Sequence, residues 1–273
     1  MSARLPRRTD ITASTPRDRC PMDITSPGDL WDRVTGSQPD PASWLVLATA
    51  AVALAAVLWR PVWQVARNAV TIAHEGGHGL VALLTGRRLD GIRLHSDTSG
   101  LTVSRGKPTG AGMILTAAAG YTAPSLLGLG GAWLLAAGHI TALLWGATGL
   151  LAVMLVMIRN AYGVLTVLVT GALFFCVSWL TGPDVQAVFA YGVVWFLLLG
   201  GVRPVFELQA KRRRYGRRGL PFGTGGTAAG GAPDSDADQL ARLTHAPAAV
   251  WLFLFHTVTL CSLTGGGRWL LGL

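Results

Sequence analysis

Charge is what this 273-residue chain has least of: Asp, Glu, Lys and Arg make up 14% of it, against about 25% in a soluble domain. Hydrophobic residues make up 51%. Together these values exclude an ordinary water-soluble enzyme. Glutamate is nearly absent, with Glu75 and Glu207 the only two. Cysteine is also rare. Cys20, Cys176 and Cys261 lie far apart, two of them in apolar runs, which excludes a disulfide framework and a clustered thiolate site. No long apolar run begins before Trp44, too far from the N-terminus for a cleavable secretory leader. The first span is therefore expected to stay in the mature protein.

Long apolar runs, by contrast, are plentiful. A helix needs about 20 apolar residues to cross a bilayer, and candidates occur at 43–59, 62–86, 110–136, 140–158, 161–181, 187–202 and 247–271. The last is expected to stop near Leu263, because Gly265-Gly266-Gly267-Arg268 follows. The expected fold is an all-α polytopic membrane protein of about six to seven transmembrane helices. Residues 1–42 hold six Arg and six Asp with no apolar period, and are expected to form a disordered cytosolic tail. Residues 43–206 make the transmembrane core, and 207–246 a basic, then Gly-rich cytosolic loop that includes a flexible linker at 219–237. Residues 247–273 supply the last helix.

Net charge is +9, and the positive-inside rule orients the chain. With a cytosolic N-terminus, 20 of the 23 basic residues fall on inside segments, while Arg60 and Arg67 lie near the outer start of the second span. The expectation is a multi-pass protein of the cell membrane. Lys211-Arg212-Arg213-Arg214 sits beside a span, which favours contact with anionic lipid headgroups over a nucleic-acid patch. Between the second and third spans, Leu89 to Ser104 alternates apolar and polar residues around a turn-rich centre. This pattern predicts a short β-hairpin at the membrane surface, with an edge suited to strand addition by an extended peptide.

The second span carries His74-Glu75-Gly76-Gly77-His78, an HExxH sequence. Four-residue spacing stacks both imidazoles on one helical face, where they can share one Zn²⁺. Glu75 stands beside the first ligand and is placed to take a proton from an attacking water. Ionisable groups are costly in mid-span and usually mark function there. Gly76 and Gly77 favour close approach by another backbone or a substrate. A catalytic zinc with one open position needs a third protein ligand. The metzincin histidine is absent, since no HxxGxxH arrangement follows His78, and Glu207 lies among basic residues at a cytosolic helix end. His256, near the centre of the last helix, is an alternative ligand or a partner to one. Asn160 follows Arg159 between two spans, either as a turn residue or as a donor to substrate backbone. His95, His139 and His245 fall in predicted loops.

The HExxH span, the text Leu84-Thr85-Gly86-Arg87-Arg88-Leu89-Asp90-Gly91-Ile92 and the small-residue segment Ala118-Ala119-Gly120-Tyr121-Thr122-Ala123-Pro124 together resemble the site-2-protease family of intramembrane zinc metalloproteases, in its bacterial B-type-like branch. The resemblance covers roughly residues 62–260. It implies a zinc endopeptidase that cuts a membrane-tethered protein substrate, commonly a regulatory one. Typical members take their third ligand from an Asp-Gly in a later segment, which is missing here. Ser235-Asp236-Ala237-Asp238-Gln239-Leu240-Ala241 resembles a recurrent SDAxxLA text of the branch, and the resemblance points to Asp236 as third ligand with Asp238 in reserve. Either must return beside the second span in a protein-lined, hydrated cavity. The alternative function is a non-catalytic membrane adaptor or chaperone that retains the fold. A metal-binding transporter is disfavoured by the lack of an inverted repeat.

Overall fold

A computed structural model describes residues 36–217 and 235–273. Residues 1–35 of the predicted tail at 1–42 and most of the predicted linker lie outside the described residues. Among the described residues, eight helices and one hairpin make up the order α1 (Ser43–Leu58), α2 (Arg60–Leu84), β1 (Arg88–Leu94), β2 (Gly100–Arg105), α3 (Ala111–Ala136), α4 (Ile140–Met157), α5 (Ala161–Leu180), α6 (Pro183–Arg217), α7 (Asp236–Thr244) and α8 (Ala248–Leu270). Five of these helices are long and apolar enough to cross a membrane, and the bent pair α1–α2 makes a sixth. The chain is an integral, multi-pass helical membrane protein.

The bent pair departs from the sequence expectation of two separate spans. Gln38 donates its backbone N–H to Gly138 and its side-chain amide to Thr141, so the chain enters α1 at the end of the bundle where α3 passes into α4. The end of α2 packs at the opposite end, beside the start of α3, where Thr85 meets Gly112. The two helices therefore make one crossing, broken at an extended Trp59 with a 103° bend. Pro61 suits the first turn of α2, where its missing N–H leaves no bond unmade. Residues just before α1 thus lie at the end opposite the hairpin, not on the hairpin's side as the charge count suggested.

Arg67 likewise does not sit at an outer surface. Arg203 donates to the Val57 carbonyl at the end of α1, filling an acceptor that the broken helix would leave orphaned. Glu207 accepts from Arg203 (2.8 Å) and from the Trp63 indole (3.2 Å), with Arg67 3.7 Å away. Arg203 lies over the Trp63 ring. The charges that looked like loop markers are paired within the bundle.

Two helices outrun their predicted ends. α6 continues unbroken from Pro183 to Arg217, through the expected 206/207 boundary. α8 continues through Gly265-Gly266-Gly267 because these residues pack closely on neighbours: Gly266 on Leu198 and Ala132, Gly267 on Trp195. The largest apolar cluster joins α1, α3, α4 and α6 through Val46, Leu135, Leu144, Val194 and Leu198. A second holds α7 in place, with Ala237 and Leu240 against Ala117, Val205, Leu208 and Phe255.

The hairpin is antiparallel, with a bulge between Leu89 and Gly91. It reaches along α2 rather than resting at the surface: Thr71, just before the HExxH turn, donates to the Thr98 carbonyl in the hairpin's turn (3.0 Å). Backbone groups at that depth need partners. On its outer edge β1 finds them in the α4–α5 connection. Arg159 N–H donates to Ile92 (2.9 Å), and the Asn160 amide both accepts from Leu94 N–H (3.1 Å) and donates to its carbonyl (2.6 Å).

Candidate metal centre

Both histidines of the motif lie on one face of α2 against α3. Gly77 makes that approach possible, since a Cβ there would fall 3.2 Å from the Ala119 carbonyl oxygen and collide with Ala123. The His78 Nδ1 lies 2.7 Å from the Thr116 carbonyl, an acceptor, so Nδ1 carries the proton and Nε2 of the neutral ring presents a lone pair. The His74 ring meets Tyr121 edge-on, with centroids 4.9 Å apart. Asp236, first residue of α7, completes the group. Its Oδ2 stands 3.3 Å from Nε2 of His74 and 3.3 Å from Nε2 of His78, and the two nitrogens are 3.2 Å apart.

This triangle fits a tetrahedral zinc. Ligand bonds of about 2.0–2.1 Å to nitrogen and oxygen require ligand–ligand edges of about 3.3 Å. The donor chemistry agrees: His78 Nε2 and the Asp236 carboxylate both offer lone pairs, which repel unless a cation lies between them. Asp236 Oδ2 is fully buried and has no hydrogen-bond partner, an arrangement that is unfavourable without such a cation. Among the described residues, His74, His78 and Asp236 form the one group of His, Cys, Asp or Glu able to hold a metal.

The other candidates have different partners. Asp238 is buried within the N-terminal cap of α7, where it accepts from Ser235 and pairs with Arg212. His256 meets the Gln209 amide oxygen at 3.1 Å and packs on Phe206. Asn160 is engaged by β1, as described above.

Glu75 is 4% exposed. The Thr102 hydroxyl on β2 donates to Glu75 Oε2 (2.7 Å) and lies 3.1 Å from the Glu75 carbonyl, which leaves Oε1 to take a proton. Gly100 covers the carboxylate so closely that a Cβ there would sit 2.5 Å from Oε1. The hairpin thus supplies the wall that orients the Glu75 carboxylate. Thr102 and Gly100 had no sequence signal beyond the hairpin pattern, because their role depends on how that hairpin lies against α2.

Gly120 of α3 forms the floor. A Cβ at this position would fall 2.6 Å from Nε2 of His74 and closer still to Nε2 of His78. Alanine is the better helix former by about 1 kcal/mol. Gly120→Ala should therefore leave the helix intact while its methyl group crowds both ligand nitrogens. Metal analysis with thermal melting in detergent should show near-total loss of zinc without loss of fold. One zinc per chain at unchanged affinity in this variant would contradict the assigned floor.

The family model described as peptidase M50B-like matches residues 47–266, which takes in the broken crossing, the hairpin and Asp236. No curated protein and no solved structure matches the chain.

Proposed function

Because the chain belongs to the peptidase M50B-like family, a group of membrane metallopeptidases, we propose that it is a zinc endopeptidase that cleaves membrane-tethered proteins within or beside the bilayer. The observation that carries this reading is the buried triangle of His74, His78 and Asp236 beside Glu75. His74 and His78 would hold the metal through Nε2, and Asp236 through Oδ2. Bound zinc acidifies water and polarises a carbonyl oxygen. Glu75 takes the proton of the attacking water on Oε1 and returns it to the leaving amine. Thr102 holds the other carboxylate oxygen, Oε2.

The substrate must be extended near Glu75. β1 has its outer edge filled by Arg159 and Asn160. The strand edge for a peptide to join is therefore that of β2, which already touches Glu75. The hairpin end of the bundle, with Arg87, Arg88, Arg105, Lys107 and the run 211–214, faces the cytosol of a cell membrane, and Lys211 to Arg214 meet anionic headgroups rather than nucleic acid. The chain then enters α1 from the opposite face. The adaptor alternative drew on the missing Asp-Gly, and Asp236 beside both histidines supports the enzyme reading instead.

Protein purified in detergent should contain about one zinc per chain. It should cleave a tethered single-span substrate, lose both zinc and cleavage to a chelator, and regain them on zinc addition. Stoichiometric zinc without cleavage of any tethered substrate would favour the adaptor instead.

A further inference from the structure

The third ligand stands in an unpromising place. Asp236 is the first residue of a nine-residue helix, and helices this short are marginal alone and fray at their ends. The text before it, 219–233, is rich in glycine. Yet Oδ2 of Asp236 is held at the same 3.3 Å from both histidines. Something must fix the first turn of α7.

Asp238 does so from two residues on. Its carboxylate accepts from the Ser235 N–H and hydroxyl while the Ser235 side chain caps the helix, closing a reciprocal capping box around Asp236. Asp238 is 6% exposed, so its charge needs a partner, and that partner is the guanidinium of Arg212, reaching across from α6. Arg212 is half-buried, while Lys211, Arg213 and Arg214 beside it are exposed. One member of a run that reads as a lipid anchor is thus turned inward.

We propose that Arg212 is a positioning residue for the metal centre: by neutralising Asp238 it locks the first turn of α7 and so holds Asp236 against His74 and His78. The inference rests on the zinc reading above. Loss of Arg212 leaves a buried carboxylate unpaired, which drives the cap toward solvent and carries the third ligand with it.

The test measures zinc affinity of the full-length protein in detergent, by competition with a chromogenic chelator, and the absorption bands of the Co²⁺-substituted protein. Arg212→Ala should bind zinc about tenfold or more weakly, within the range seen when groups supporting a ligand are removed, and its Co²⁺ bands should shift. Arg213→Ala, with the same charge loss in the same run, should match the wild type. Arg212→Lys should recover part of the affinity. Arg212→Ala/Asp238→Asn should recover most of it, because the unpaired charge is gone and the amide oxygen still accepts from Ser235, and a thermal melt of Arg212→Ala in detergent checks that the single variant folds. Equal affinity in Arg212→Ala and wild type overturns the proposal, as does a double variant no better than the single one. Absence of zinc from the wild type would overturn the zinc reading itself, and with it the inference.

Discussion

Glu75→Gln is expected to bind zinc like the wild type and to lose hydrolysis by at least 10²–10⁴-fold, the usual contribution of a general base. The amide has nearly the same shape as the carboxylate and can still accept from Thr102, so the packing around β2 has no reason to change. It cannot take a proton, and among the described residues the other carboxylate beside the histidines is that of Asp236. Asp236 is committed to the histidines, and Glu207 is bound by Arg203, Arg67 and Trp63. Single-turnover cleavage measured alongside zinc content separates the two effects. Wild-type rates in Glu75→Gln would rule out this base, and loss of zinc would show that the glutamate serves the metal instead.

The second large effect is metal binding in Asp236→Ala. With one of three ligands removed, zinc affinity should fall by more than the roughly 100-fold upper range for a group that only supports a ligand. Asp238→Ala should lose less, through the weakened cap, and His256→Ala should lose none, since its ring nitrogen is taken up by Gln209. The ranking distinguishes the three residues that sequence alone left in competition. A further measurement checks the physical argument: in excess chelator Asp236→Ala should melt no lower than the wild type, because it removes a buried carboxylate oxygen that lacks a hydrogen-bond partner. A wild type much more stable than the variant without metal would mean that Asp236 stabilises the fold directly.

How much of this was legible depends on the range of each signal. The pairing of His74 with His78 and the neighbouring base follow from helical spacing inside one span, which tertiary packing does not alter. The hairpin followed from alternation, and its strands lie where the pattern placed them. Its depth did not, because the pattern is blind to what satisfies an outer edge, here the Arg159 N–H and the Asn160 amide. Arg60 and Pro61 read as a loop between two spans. Within the bundle they mark a break in one span, because Arg203 reaches the freed Val57 carbonyl and Glu207 neutralises the arginines around it. The glycines after Leu263 read as a helix end, yet they continue α8 where close packing requires them.

By itself the sequence determined a membrane helix bundle with one ionisable turn at its heart, since scarcity of charge makes each mid-span charge a decision and periodicity is a property of neighbouring residues. Only the tertiary structure decided which carboxylate stands beside the two histidines. Asp236 and Asp238 share a short segment, a charge and an acidic neighbour, and local pattern treats them alike. The cap and Arg212 turn Asp238 inward to hold the helix, and an offset of two positions on a 3.6-residue turn points Asp236 at the two imidazoles.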